Sequence, residues 1–249
     1  MNTLRNPLFW SLLLLLSCAR PEPASKLHWL GKPLNEESLN SKLNKYHMYD
    51  SNGLKVGSMI FGLREEGGRW VAEDTSQLDD GSIYETAKMV MDLTQPAMQS
   101  VDMDIAVQGA NVFIDLQPST EKMNGTYKVQ RDTAMLVDRV IDSAYVYDAF
   151  REEVYMLLHA VDWEEGDSVA FRMFFPNSFG VVDAALVYES QETIKVAAGN
   201  FDTHVIYLNT GGLLDNRIWV SKEEQPKLVK FYVPNAQLSI ELNSSVPLE

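Results

Sequence analysis

The sequence predicts a mainly β (α+β) protein, one large antiparallel sheet of about a dozen strands accompanied by one amphipathic helix. Three observations predict it. From Lys45 to Leu242, short β-type segments are punctuated by turn signals such as Asn52-Gly53, Gly67-Gly68, Asp80-Gly81 and Asn124-Gly125. Inside those segments apolar residues alternate, as Val112, Ile114 and Leu116 do, and again Val169, Phe171, Met173 and Phe175. One stretch, Asp142 to Trp163, has neither Gly nor Pro and carries its apolar residues at three- and four-residue steps instead.

Taken in order, the chain opens with Arg5 and an almost wholly apolar run, Phe9 to Leu16, too short to span a bilayer and typical of a secretory signal. That run ends in Leu15-Leu16-Ser17-Cys18, which resembles a bacterial lipobox. Residues 1–17 read as a lipoprotein signal peptide. Cys18, the sole cysteine of the chain, reads as the lipidated residue. The sulfur would carry a diacylglyceryl group, so the membrane is the expected partner through this anchor. Ala19 follows where an Asp would favour inner-membrane retention, and the expected location is the periplasmic side of the outer membrane. Residues 18–44 are polar and contain Pro, suited to a tether and lead-in, although Leu27, Trp29 and Leu30 are free to pack on the domain.

Residues 45–249 form the expected domain. Strands are expected at Tyr46–Asp50, Leu54–Leu63, Trp70–Thr75, Ile83–Leu93, Met98–Val107, Val112–Leu116 and Tyr127–Gln130. Breaks this regular suit a meander better than βαβ units, whose crossovers need a dozen or more residues. The helix is expected to follow, with Asp142 or Ser143 as cap and about 18 residues, roughly 27 Å long. Tyr147, Phe150, Val154, Leu157, Leu158 and Val161 would share its apolar face, opposite Asp148, Arg151, Glu152 and His159. Strands resume at Val169–Phe175, Val181–Glu189, Thr193–Ala198, His204–Leu208, Arg217–Ser221, Leu228–Val233 and Gln237–Leu242.

The formal net charge is −14, and one unit more negative once Arg5 leaves with the signal. Nucleic acid is therefore not an expected partner, since it requires clustered Lys and Arg. The acids fall in scattered pairs without an EF-hand layout, so no metal is expected. Without a second cysteine in the chain, an intrachain disulfide is impossible and the core must hold the fold.

Around the helix and beyond it, several segments carry a family likeness. They are Asp142-Ser143-Ala144, Arg151, Gly166-Asp167, Gly199-Asn200-Phe201-Asp202-Thr203, Ile218-Trp219-Val220-Ser221 and Pro226-Lys227-Leu228-Val229-Lys230. Their order and spacing resemble an uncharacterised family of exported bacterial proteins, catalogued as a domain of unknown function and similar in fold to the Lol lipoprotein carriers. The resemblance covers roughly residues 45–242 and is most specific over 142–242. It implies an open, strongly curved half-barrel with the helix on its concave side, and it supplies no catalytic residues.

No Gly-x-Ser-x-Gly elbow, His-Glu-x-x-His helix or phosphate-cradling loop is present in the sequence, so no enzyme and no cofactor are expected. His28, His47, His159 and His204 are dispersed, and Glu152 and Glu153 diverge by about 100° on a helix, poor geometry for a carboxylate pair. Arg151 is expected as a helix-to-sheet ion-pair partner rather than a substrate anchor. The candidate site is a cavity between helix and sheet, lined by Phe150, Val154, Leu157 and Leu158 from the helix and Phe171, Met173 and Phe175 from the sheet. The expected function is non-catalytic binding of a lipid-like, hydrophobic or amphiphilic ligand; the alternative is a structural adaptor that binds an envelope protein.

Overall fold

The computed structural model describes residues 27–92, 97–119, 122–176, 179–212 and 215–248. The signal segment and Cys18 lie outside the described residues.

A small hairpin comes first: β1 (His28–Trp29) pairs with β2 (Lys32–Pro33) through Leu30 and Gly31, both at positive φ (51° and 78°). That geometry suits a two-residue turn, and Gly31 takes it without a side-chain penalty. The main sheet then begins with β3 (Lys42–Tyr49). It continues through β4 (Lys55–Glu66), β5 (Arg69–Leu78), β6 (Ile83–Asp92), β7 (Ala97–Val107), β8 (Ala110–Pro118), β9 (Met123–Arg131) and β10 (Ala134–Ser143). These eight strands form one antiparallel meander. The chain next crosses to the opposite end of the sheet. There β11 (Ala149–Phe150) lies parallel to β12 (Ser168–Phe175), with α1 (Arg151–Leu157) and a 3₁₀ turn (Leu158–Ala160) between them. A second meander, β13 (Gly180–Val196), β14 (Gly199–Asn209), β15 (Asn216–Ser221), β16 (Leu228–Val233) and β17 (Leu238–Pro247), works back until β17 pairs with β3.

The result is a 15-stranded sheet with β10 at one edge and β11 at the other, strongly curved and not closed into a barrel. The two ends nonetheless approach each other. Tyr127 of β9 packs edge-on against Phe179 (centroids 4.8 Å apart), which lies beside Phe174 of β12 (6.1 Å). Tyr145 and Tyr147, on the crossing segment, pack on Phe174 as well (5.2 and 5.7 Å). Aromatic rings fill this seam, each such pair contributing about 0.5–1.5 kcal/mol beyond the area it buries.

Several expectations are corrected by these elements. The strands exceed a dozen: β10 fills a stretch for which no element is expected and takes in Asp142 and Ser143, the expected caps of the helix. Its Val137, Val140 and Ile141 are β-branched, which suits a strand, and β9 gives them ladder partners. The helix shrinks from about 18 residues to the seven of α1 plus the 3₁₀ turn. Neither Asp142 nor Ser143 caps it; Phe150 does through its backbone, with the Glu153 carboxylate accepting the Phe150 N–H at 2.7 Å. The segments 181–189 and 193–198 are one strand, β13, with a register shift between Tyr188 and Ser190. Residues 27–44 pack closely with the domain: Trp29, Leu34 and Leu39 are buried, and Leu34 bridges to Val161 after the helix.

The core is a single cluster wrapped around α1, whose Val154, Met156 and Leu157 are fully buried. Met89, Met91, Met98, Met103, Met123 and Met173 fill the space between helix and sheet, an irregular shape that unbranched side chains suit. One backbone contact is unusually close. Gly125 in β9 sits at φ +151°, and a Cβ there would lie 1.9 Å from the Asp115 carbonyl oxygen of β8. Gly125→Ala must therefore push two paired strands apart, with an expected cost of about 1–3 kcal/mol. A thermal melt should show Tm falling by roughly 2–4 °C per kcal/mol. An unchanged Tm would contradict the registered pairing.

Candidate ligand-binding site

Between α1 and the concave face of the sheet lies a cavity of about 260 Å³. Its apolar wall comes from the first meander (Met59, Phe61, Met89, Met103) and from β16 and β17 (Leu228, Phe231, Ile240). Alternation along each strand sends these residues inward, and the curvature of the sheet brings the two meanders to face each other across the helix. Tyr46, Phe231 and Tyr155 stack edge-on in series, with centroids 5.8 and 5.5 Å apart. The Tyr46 hydroxyl donates to the Leu228 carbonyl at 3.0 Å, pinning β3 to β16.

The floor is polar. Arg151, Glu152 and Tyr155 of α1 meet Asp74 and Ser76 of β5 and Glu85 of β6. Arg151 Nε donates to Glu152 Oε1 at 2.8 Å, its Nη2 lies 3.8 Å from Glu85 Oε1, and its guanidinium covers the Phe175 ring at 5.0 Å. Burial works against the guanidinium's charge, but the carboxylates of Glu152 and Glu85 more than offset this and raise its pKa. Burial, with Glu85 nearby, pushes the Asp74 carboxyl up to about 7, although the Ser76 hydroxyl donates to it at 3.0 Å. Burial also raises the pKa of Glu85. Glu152 is only 4% exposed, and its Oε2 has no hydrogen-bond partner among the described residues. Tyr155 accepts a 3.1 Å bond from Asn216, beside Asp215 at the cavity's far side.

The helix-to-sheet ion pair expected of Arg151 is present. None of the seven residues expected to line the cavity does so. Phe150, Val154, Leu157, Leu158, Phe171 and Met173 are packed solid in the core, and Phe175 lies half-buried beneath Arg151. Their aliphatic and aromatic surfaces interdigitate at interior density and leave no space. The opening is instead on the helix side that reads as solvent-facing. Glu152 is buried there, and Glu153 and His159 are buried too, outside the cavity lining, because the sheet encloses α1 on nearly every side. Burial and the neighbouring Lys42 hold His159 well below its ordinary pKa. Among the residues that sequence reasoning left out, Asp74 and Glu85 are the most consequential. Asp74 stands in the polar run Glu73–Gln77 and Glu85 beside Thr86, and neither setting distinguishes an inward acid from a solvated one.

Among the described residues, no group of three His, Cys, Asp or Glu side chains is placed to hold a metal ion, and no helix is long and apolar enough to cross a membrane. The polar groups of the floor are paired with one another, the Ser76 hydroxyl on Asp74 and the Arg151 guanidinium on Glu152 and Glu85, with Glu152 Oε2 left over.

Solved structures align with this chain, and the first supports the fold. A β-barrel-like protein of the domain of unknown function DUF1849 from Brucella abortus aligns over 85% of this chain and 99% of its own, with a TM-score of 0.52 at 10% identity. A presumed exported protein with a YmcC-like fold from Bacteroides fragilis covers 83% of this chain and 96% of its own, with a TM-score of 0.34 and 11% identity. A presumed lipoprotein from Parabacteroides distasonis covers 83% and 95%, with a TM-score of 0.30 and 11% identity. No curated protein matches the sequence. Residues 45–243, nearly the whole of the described sheet and its helix, match the family described as protein of unknown function (DUF3108), and the chain belongs to that family.

Proposed function

We propose that this protein is an exported lipoprotein, held through Cys18 at the periplasmic face of the outer membrane. In this reading its half-barrel sequesters the apolar part of an amphiphilic ligand without making or breaking bonds. The observation that carries the binding reading is the cavity: largely apolar on its walls, with its charged cluster at the floor, and placed between the sheet and the helix. At about 260 Å³ it is just below the ~300–1,000 Å³ common for ligand pockets, so it suits a single chain and not a whole multi-acyl lipid. Burying eight methylenes at ~0.8 kcal/mol each gives about 6 kcal/mol, a Kd on the order of 10–100 μM. The anchoring reading rests on the apolar run and the Leu15-Leu16-Ser17-Cys18 ending.

Binding is testable on the mature chain with Cys18→Ser. Fluorescence of 1-N-phenylnaphthylamine should rise on saturable binding, and n-octanol should displace the dye. Ala87 lines the cavity and is buried, so Ala87→Phe should fill the space and abolish both effects while leaving the circular dichroism spectrum intact. Dye binding that survives Ala87→Phe would rule out this cavity.

One observation favours the adaptor as a second reading. The edge strand β10 exposes Met135, Leu136 and Val140, the last 79% exposed, beside an unpaired row of backbone groups. A photo-crosslinker at Val140 that traps one protein of defined mass in intact cells, and loses it with Leu136→Glu, supports the adaptor.

A further inference from the structure

We infer that the ligand's polar end is a protonated amine, so that the cavity selects a cationic amphiphile over a neutral or anionic one. The inference rests on the binding reading above and adds the chemistry of the head. Three carboxyl groups, Asp74, Glu85 and Glu152, converge on the floor against one cation, Arg151. That cation is already committed: its Nε is 2.8 Å from Glu152 Oε1, its Nη2 is 3.8 Å from Glu85, and its face lies on Phe175. Glu152 Oε2 is left buried without a partner among the described residues, and Asp74 has the Ser76 hydroxyl. The remaining polar residues of the lining, Tyr46, Tyr155, Asp215, Asn216 and Asn235, add no positive charge.

The floor is therefore short of one positively charged hydrogen-bond donor. A buried acceptor without a donor is costly, and a carboxylate more so, which makes this the point where a ligand gains most. A primary ammonium brings both the charge and the N–H groups. A quaternary ammonium brings charge but no donor, and a carboxylate head would add a fourth acid to the cluster. Beside the floor, Met59, Phe61, Met89 and Phe231 supply apolar contact for a chain, which an inorganic cation would not use. Phe231 and its neighbours Tyr46 and Tyr155 also offer ring faces that attract a cation.

The groups facing the head from every element are Tyr46 (β3), Asp74 (β5), Glu85 (β6), Arg151, Glu152 and Tyr155 (α1), and Asp215 ahead of β15. Of these, Asp74 titrates near 7 in the ligand-free protein and must ionise to receive a cation. Binding should then release a proton, and affinity should fall as pH drops from 8 to 6, by up to about tenfold per unit below 7. An alkylammonium keeps its own charge throughout, its pKa being close to the ~10.4 of lysine.

The experiment is dye displacement from the mature Cys18→Ser chain by n-octanol, n-octylammonium, octyltrimethylammonium and octanoate, at pH 8 and pH 6. The expected result is n-octylammonium at least tenfold tighter than octanol at pH 8, octyltrimethylammonium between them, and octanoate at least tenfold weaker than octanol. Glu152→Gln and Asp74→Asn should each erase the advantage of octylammonium over octanol, the two ligands being compared within the same variant. Octylammonium binding no better than octanol, or insensitive to both substitutions, would overturn the inference while leaving the cavity reading intact. Failure of octanol and the dye to bind at all would instead remove the reading beneath it.

Discussion

Glu153→Leu should be among the most destabilising single substitutions in the protein. Glu153 is 3% exposed, and its two carboxylate oxygens hold two backbone N–H groups from different parts of the sheet: Met98 of β7 at 2.9 Å and Phe150 of β11 at 2.7 Å. It thus caps α1 and ties the helix to the first meander at the same time. Leucine has the size to remain buried but accepts neither bond, so two buried donors lose their partners. At ~1–3 kcal/mol for each orphaned donor, the loss is about 2–6 kcal/mol, which urea denaturation would read as a lower midpoint. Glu153→Gln keeps one acceptor and should fall between Leu and wild type.

The same residue sets a pH dependence with a definite sign. Burial pushes Glu153 up to about 7, outweighing the two N–H bonds that favour its ionised form. The native state therefore holds a proton that the unfolded chain releases near its ordinary value of 4.5. Its contribution is fully present below that value and is lost as pH rises through about 7. Asp74, raised from 3.8 to about 7, acts in the same direction. His159 opposes them below 6.5, because it is held neutral in the fold and charges on unfolding. The difference between wild-type and Glu153→Gln unfolding curves isolates the Glu153 share. It should be largest in favour of wild type at pH 5 and shrink by pH 8. A constant difference would show that Glu153 does not titrate in this range.

The fold was legible in the sequence wherever a strand needed only its own neighbours. Val112, Ile114 and Leu116 on β8 alternate because one face is wet and the other packed, and Asn-Gly and Gly-Gly pairs turn the chain locally. What misled was the stretch 142–163. Tyr147, Phe150 and Val154 do share a side, but Tyr147 reaches it from extended chain, packing edge-on against Phe150 with centroids 5.0 Å apart. Helical spacing and an extended run leading into a short helix place the same rings on the same core. Only long-range partners separate the two: the pairing of β10 with β9 and the parallel step of β11 against β12.

The site was harder to read for a related reason. Polar residues on a helix mark the solvated face when the helix lies on a surface, and Arg151, Glu152 and His159 were assigned on that basis. This helix lies inside the sheet, so its polar side faces a cavity and its aliphatic side has no free volume to offer. The acids that complete the floor, Asp74 and Glu85, come from β5 and β6, some seventy residues earlier in the chain. Their meeting with Arg151 is fixed by sheet curvature, which periodicity does not encode.

Arg151→Met tests how that floor is held together. Methionine replaces the aliphatic stem and keeps contact with Phe175, but it removes the one cation among Asp74, Glu85 and Glu152. Side-chain exposures of 20% for Arg151, 4% for Glu152 and 19% for Glu85 make this a largely desolvated network, unlike the surface pair Lys55–Asp79. Breaking such a pair by removing one partner costs about 3–5 kcal/mol, because the remaining charges stay buried and repel. The surface pair Lys55–Asp79, cut by Lys55→Met, should cost about 0–1 kcal/mol. The carboxyls left behind can escape the penalty by taking up protons, so the Arg151→Met deficit should be largest near pH 8 and narrow toward pH 5. Adding Glu152→Gln to Arg151→Met should restore part of the lost stability, since it removes one of the stranded charges. If the double variant is instead less stable than Arg151→Met by the full cost of Glu152→Gln alone, the two residues act independently and the floor is not a coupled network.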